Sequence, residues 1–223
     1  MPLTQRFDGV FTDQRKIFTL NLVRGNRVYG ERLMNDHGVE YREWNPEKSK
    51  LGAAIKNGLK QLPIRSNSRV LYLGAGEGTS ISHVSDIVGP QGAVIGVDLG
   101  ERTMKKFIWV CESRPNTLPV LADAHNTGAY AETVAEIGGV DVLFQDIAQP
   151  DQAAIFNANA RAFMKKGSHG LLAIKAKSIS QAENVKKIFD DQVRILETEW
   201  TILQQINLAP YETDHLLVHA QKK

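Results

Sequence analysis

The sequence predicts an α/β fold: a mostly parallel, Rossmann-like sheet that ends in an antiparallel C-terminal hairpin, plus a small antiparallel β module at the N-terminus. Three observations predict it. From about residue 49 onward, short apolar runs alternate with amphipathic helical segments, the pattern of a parallel sheet covered on both faces. The last two apolar runs, residues 200–208 and 215–220, are separated only by the turn Ala209-Pro210-Tyr211-Glu212, so they must pair antiparallel at a sheet edge. The residues before Trp44 form β-rich runs broken by Gly and Asn, which supply the positive φ that hairpin turns need.

Taken in order, residues 7–11, 16–23, 28–33 and 39–44 are expected as short β segments with a turn at Arg24-Gly25-Asn26-Arg27. Asn45-Pro46 closes the module, because proline biases the preceding residue away from helix. From Ser49 the period changes: Leu51, Ala54, Ile55, Gly58, Leu59 and Leu62 recur at helical spacing, and Pro63 ends the segment. Then follow strand 70–73, helix 80–88, strand 93–97, helix 102–111, strand 118–121, strand 140–145, helix 152–164, strand 170–175 and helix 181–196. Helix faces agree with this, as in Met104, Phe107, Ile108 and Cys111. The expected division is a module over residues 1–48 and a main domain over residues 49–223.

A chain of 223 residues suffices for one well-buried domain and a small appendage. At 42% hydrophobic and 23% charged residues, the composition excludes a disordered chain and a disulfide scaffold. No run approaches the ~18 consecutive apolar residues of a membrane span, and the first residues lack the apolar core of a signal peptide. A cytoplasmic protein with no membrane partner is expected. Cys111 is the only cysteine and no C-x-x-C pair exists, so neither an internal disulfide nor a metal site is expected. The net charge of +2 is too mild to decide for or against a nucleic-acid partner, since clustering matters more than the sum.

The segment Val70-Leu71-Tyr72-Leu73-Gly74-Ala75-Gly76-Glu77-Gly78-Thr79 runs from a buried strand straight into a helix. Glycines at alternate positions let the backbone approach a ligand beyond the carboxyl end of the strand, where open α/β sheets bind cofactors. A dinucleotide fingerprint competes for this loop, and Asp98 at the end of the next strand suits ribose hydroxyls in either case. Thr79 occupies the fingerprint's final glycine position, and no Tyr-x-x-x-Lys pair is present, which disfavours an NAD-linked oxidoreductase. Asp123 and Asp146 end the following strands, with Asp123 placed to meet an adenine amino group. Each aspartate alone also suits a helix N-cap. Jointly, carboxylates at consecutive strand tips give a desolvated sulfonium cation its balancing charge, and the outline resembles a class I S-adenosylmethionine-dependent methyltransferase.

Longer stretches sharpen the resemblance. Tyr41-Arg42-Glu43-Trp44-Asn45-Pro46 with Ser49-Lys50-Leu51, Ser82-His83-Val84-Ser85-Asp86-Ile87-Val88-Gly89, Gln145-Asp146-Ile147-Ala148-Gln149-Pro150, Ala173-Ile174-Lys175-Ala176-Lys177-Ser178, and Pro210-Tyr211-Glu212 before Asp214-His215 together resemble fibrillarin over almost the whole chain. The resemblance implies transfer of a methyl group from S-adenosylmethionine to ribose 2'-hydroxyls of rRNA and tRNA. The positions would be chosen by a box C/D guide RNA, in a particle with a Nop-type scaffold protein and a kink-turn-binding protein of the ribosomal type. It further implies a catalytic set Lys50, Asp146, Lys175 and His215. Cofactor contacts would come from Gly74, Ala75, Gly76, Gly78, Thr79, Ser80, Asp98, Leu99, Asp123, Ala124, Asp146, Ile147, Ala148 and Gln149. The chain departs from the family pattern where Gly76, Glu77 and Ser80 replace the usual Ala, Ser and Thr, and where Asp98-Leu99 replaces Glu-Phe. It lacks the Gly/Arg-rich tail of eukaryotic relatives and so resembles the archaeal form.

In-line displacement at a methyl carbon needs a positioned and activated oxygen. Lys175 is therefore expected beside the hydroxyl, held by Asp146, acting either as base or as electrostatic stabiliser, with Lys50 assisting and His215 taking the proton or holding the ribose. A non-catalytic particle subunit with a vestigial pocket is the remaining alternative; the intact Lys50, Asp146, Lys175 and His215 set argues against it.

Overall fold

The computed structural model describes residues 3–223; the first two residues of the expected N-terminal module lie outside the described residues. Thr4–Phe7 (β1), Val10–Thr12 (β2), Ile17–Leu20 (β3), Leu33–Asp36 (β4) and Val39–Trp44 (β5) make one antiparallel sheet in the order β1-β2-β3-β5-β4. Two of the expected strands are corrected. Residues 7–11 contain the turn of a hairpin, because Gly9 takes φ +68° and Phe7 pairs with Val10. Residues 28–33 leave the ladder because the buried Glu31 carboxylate accepts the amides of Val28 and Tyr29, and the strand begins only at Leu33.

Asn45 caps a 3-10 turn, Pro46–Lys48, and Ser49 caps the helix Lys50–Lys56 (α1) through a bond from Gly52 N–H. That helix is shorter than its apolar period suggested. Asn57 and Gly58, the latter at φ +95°, end it, and Leu59 and Leu62 are buried from non-helical chain. The main sheet then follows: Arg69–Leu73 (β6), Thr79–Val88 (α2), Ala93–Asp98 (β7), Glu101–Glu112 (α3), Thr117–Leu121 (β8), Ala131–Glu136 (α4), Val142–Gln145 (β9), Gln152–Phe163 (α5), His169–Lys175 (β10), Ala176–Ile179 (α6), Val185–Glu197 (α7), Trp200–Asn207 (β11) and His215–Lys222 (β12). The crossover at α4 is an element the sequence did not announce: it is six residues long and buries only Val134, too little for a 3.6-residue period to show. The last helix starts at Val185, not residue 181, because the Asn184 side chain caps it by accepting the amides of Lys186 and Lys187.

Strand order is β11-β12-β10-β9-β6-β7-β8. All pairs from β10 to β8 are parallel, and β12 pairs antiparallel with both β10 and β11, which puts the C-terminal hairpin at one edge as expected. The chain runs outward from β6 through β7 and β8, then returns to β9 on the other side. This reversal opens a crevice beyond the carboxyl ends of the strands.

Alternate residues of each central strand enter opposite cores. Val70, Tyr72, Val94, Phe144 and Leu171 meet α1, α2 and α3, whereas Leu71, Leu73, Ile95, Leu143 and Leu172 meet α4, α5 and α7. Val10, Ile17 and Trp44 of the N-terminal sheet belong to the first of these cores. Each such side chain contributes about 1.5–3 kcal/mol on burial, against ~0–1 kcal/mol for an exposed pair such as Lys16–Glu43, so apolar anchoring holds the small sheet in place. Beneath it lies a buried polar network. Asp86 accepts from Thr19 Oγ1, Leu22 N–H, Arg42 and Arg114, while Arg42 also pairs with Glu31. His83 stacks on Trp44 at 4.8 Å and bonds Thr19 and Tyr29; burial first, then the two arginines, push its pKa well below the ordinary value, so the ring is neutral. No helix among the described residues is long and apolar enough to cross a membrane.

Candidate active site

The glycine loop after β6 is shaped by contact with the next strand tip. Gly74 sits at φ +88°, and a Cβ there would lie 2.0 Å from the carbonyl oxygen of Asp146. No side chain fits, and the two strand tips touch through bare backbone. The ladder continues into the loops: Gly74 and Ala75 N–H donate to Val97 O, and Asp146 N–H donates to Leu73 O. Gly78, at φ +92°, lies where a Cβ would press on Phe107 and Val110, so it brings α3 close.

Asp98 ties this loop to the start of α3. Its Oδ2 accepts Gly76 N–H at 2.8 Å, and Oδ1 accepts Gly100 N–H at 2.8 Å and Thr103 Oγ1 at 3.0 Å. A carboxylate has about four acceptor positions; two are filled by backbone amides and a third is shared, because the single Thr103 hydroxyl proton also faces Gly100 O at 2.8 Å, so room for a ligand hydroxyl remains. The crevice, of about 490 Å³, is lined by the expected Lys50, Gly74, Gly76, Asp98, Leu99, Ala124, Asp146, Ile147, Ala148, Gln149 and Lys175, together with Val97 and Ala122, which the sequence reading missed. Both are small or apolar residues flanking expected ones, so nothing but position marks them.

Five expected cofactor contacts are placed beside the crevice instead of on its wall. Ala75 lies buried under the loop, and Gly78 faces α3. Thr79 opens onto a neighbouring groove, as does Glu77, whose carboxylate pairs with Lys106 at 2.5 Å. Ser80 donates to Ser49 Oγ at 2.9 Å, which links the glycine loop to the helix carrying Lys50. Asp123 is bonded to the backbone and ring of His125, and His125 reaches Asp151 with its other nitrogen at 2.8 Å. Those bonds hold the Asp123 carboxyl below its usual value, and the bonds to Asp151 and Asp123 raise the His125 pKa. Asp123 is joined to the crevice wall through Gln149, whose side-chain amide donates to it at 3.4 Å. The Asp-x-His spacing was the available signal for His125; its second partner, on another loop, was not.

At the other end, charges are arranged in a row. Lys50 Nζ lies 3.1 Å from Asp146 Oδ2 and 3.7 Å from Glu212 Oε1. Burial alone would push the Lys50 pKa down, but Asp146 and then Glu212 more than offset it and hold it above its ordinary value. Here an expectation is corrected: among the described residues Asp146 pairs with Lys50, not with Lys175. The helix cap at Ser49 brings Lys50 in from the first turn of α1, whereas Lys175 is fixed only through its backbone, which exchanges two hydrogen bonds with the Gln152 side chain. Lys175 has no ion pair among the described residues, and its side chain lines the crevice.

His215 stands directly opposite Lys175 across the β10–β12 ladder, so both side chains leave the same face of the sheet. Its Nδ1 lies 2.6 Å from Thr213 O. A carbonyl only accepts, so the proton sits on Nδ1 and the neutral ring keeps its free lone pair on Nε2. The site can therefore hold two cations and a half-buried carboxylate along one edge of a cofactor-sized crevice, with a proton acceptor opposite Lys175 on the next strand.

The fibrillarin family model matches residues 2–223. The chain belongs to the fibrillarin family. It is 43% identical over 222 residues to the fibrillarin-like rRNA/tRNA 2'-O-methyltransferase of Pyrococcus furiosus, covering 97% of this chain and 96% of that protein. The Aeropyrum pernix fibrillarin solved with natively bound S-adenosyl-L-methionine superposes with TM-score 0.89 at 39% identity, over 99% of this chain and 98% of that one. A fibrillarin chain from a fibrillarin/Nop5p complex gives TM-score 0.89 at 32% identity, over 99% of this chain and 100% of that one. These fibrillarin relatives span the N-terminal sheet as well as the main sheet.

Proposed function

We propose that this chain transfers a methyl group from S-adenosylmethionine to ribose 2'-hydroxyls of rRNA and tRNA. We propose further that it does so as the catalytic subunit of a box C/D guide-RNA particle, with a Nop-type scaffold and a kink-turn-binding protein of the ribosomal type. One observation carries the reading. A crevice walled by a glycine loop and Asp98 on one side ends in Asp146, Lys50 and Lys175 on the other, with His215 opposite Lys175 across the sheet. The relatives' methyltransferase names and the Nop5p complex support the chemistry and the scaffold.

The residues fit this cofactor. Gly74 leaves bare backbone beside Asp146, Asp98 keeps an acceptor position for a ribose hydroxyl, and Val97, Leu99, Ala122, Ala124 and Ile147 supply apolar surface for a base. When bound, S-adenosylmethionine supplies an electrophilic methyl group on a sulfonium centre. Lys175, which pairs with no carboxylate among the described residues, orients the acceptor oxygen and stabilises the negative charge that develops there. Nε2 of His215 takes the hydroxyl proton. Lys50 neutralises Asp146 and fixes its carboxylate at the end of β9.

The fitting experiment maps 2'-O-methyl marks made by the particle reconstituted with a chosen guide RNA. The expected result is a mark at the guided nucleotide that moves when the guide is changed, with little methylation by the pure chain. The reading predicts this because the chain's mild charge leaves much of the grip on RNA to its partners. Efficient guide-independent methylation by the pure chain would reject it.

A further inference from the structure

We propose that Glu212 is a positioning residue of the methyl-transfer site, one carboxylate oxygen holding Lys50 and the other facing the His215 ring that Thr213 O fixes. The inference rests on the reading above and adds a residue to it. Oε1 of Glu212 lies 3.7 Å from Lys50 Nζ, and Oε2 lies 3.8 Å from His215 Nδ1. The same carboxylate thus faces two of the groups assigned to the reaction, which come from α1 and β12, elements far apart in sequence.

The loop that presents it is tied to both. Glu212 N–H donates to Leu208 O, Leu208 N–H donates to His215 O, and the Asn57 side-chain amide at the end of α1 donates to Asn207 O and Ala209 O, both at 2.8 Å. Tyr211 packs on the core beside it. The contacts of Glu212 beyond this scaffold are electrostatic: with Asp146 it places Lys50 between two carboxylates. Asp146 also borders the glycine loop. Glu212 draws the ammonium toward the β11–β12 loop and keeps it from collapsing onto the cofactor side of the crevice. A proton arriving on His215 creates a cation already facing Glu212.

The test compares the wild-type chain with Glu212→Gln, which keeps the shape and removes the charge. In the guided particle, the expected loss in kcat is roughly tenfold, short of the ~10²-fold that a full 1 Å misplacement costs, while KM for S-adenosylmethionine stays within about twofold. In the free chain, the pH at which Lys50 becomes reactive to an amine-acylating reagent, read by mass spectrometry, should fall in Glu212→Gln. Rescue of the rate by Glu212→Asp above that of Glu212→Gln would support the charge as the cause. Unchanged kcat together with unchanged Lys50 reactivity would overturn the proposal. A wild-type particle that makes no guided mark would instead reject the function, while the Lys50 titration would still decide the placement of Glu212.

Discussion

Lys175→Ala in the reconstituted particle is expected to lower single-turnover methyl transfer by roughly 10²–10³-fold, the cost of removing one preorganised charge donor from a developing oxyanion. The substitution is clean because the fold does not depend on the side chain: the backbone of Lys175 is held by Gln152, and its ammonium pairs with no carboxylate among the described residues. S-adenosylmethionine affinity, measured by calorimetry, should change by less than about threefold, since the interaction lost is one made to the acceptor oxygen. Turnover retained in full would remove Lys175 from the mechanism. A collapse of cofactor affinity with the rate unchanged at saturation would move it to the binding site.

Asp86→Ala should destabilise the chain by about 3–5 kcal/mol, the cost of leaving a buried charge without its partner. Asp86 is fully buried as a side chain and bonded at both oxygens, to Arg114 at 2.6 Å and Arg42 at 2.8 Å, to Thr19 of the N-terminal sheet and to the Leu22 amide just after β3. Arg42 would retain Glu31, but among the described residues Arg114 would lose its one carboxylate, and its Nε and Nη2 find no partner there even in the intact network. For a chain of this size, the loss corresponds to a fall in Tm of roughly 6–20 °C. Denaturant melts showing a loss under about 1 kcal/mol would mean that the network relaxes or admits water. None of the residues of this network lines the crevice, so cofactor binding measured well below Tm should survive.

The main sheet was legible because its central strands are buried on both faces. Val70 to Leu73 and Leu171 to Ile174 leave no polar register to mislead, and the short turn after residue 208 allowed only an antiparallel ending. The N-terminal sheet was less legible. Glu31 and Arg42 are buried charges there, and the bonds they make redirect backbone amides that a strand pattern assigns to the ladder. In the site, the residues at strand ends were foreseeable, since a topological switch collects whatever follows those strands. Their pairing was not. Lys50, Lys175, Glu212 and His215 lie on four segments, and which cation meets Asp146 depends on the packing of α1 against the glycine loop through Ser49 and Ser80. His125 escaped for the same reason: Asp123 and Asp151 meet it from loops that only the folded sheet brings together.

Everything in the mechanism depends on the strand tips forming one cofactor pocket in which Gly74 and Asp98 grip and Asp146 and Lys175 face the reaction. The most direct measurement is a calorimetric titration of the purified, ligand-stripped chain with S-adenosylmethionine and, separately, with NAD. The account predicts one S-adenosylmethionine bound per chain and no heat from NAD. Saturable binding of NAD, or no binding of S-adenosylmethionine by a folded chain, would contradict it.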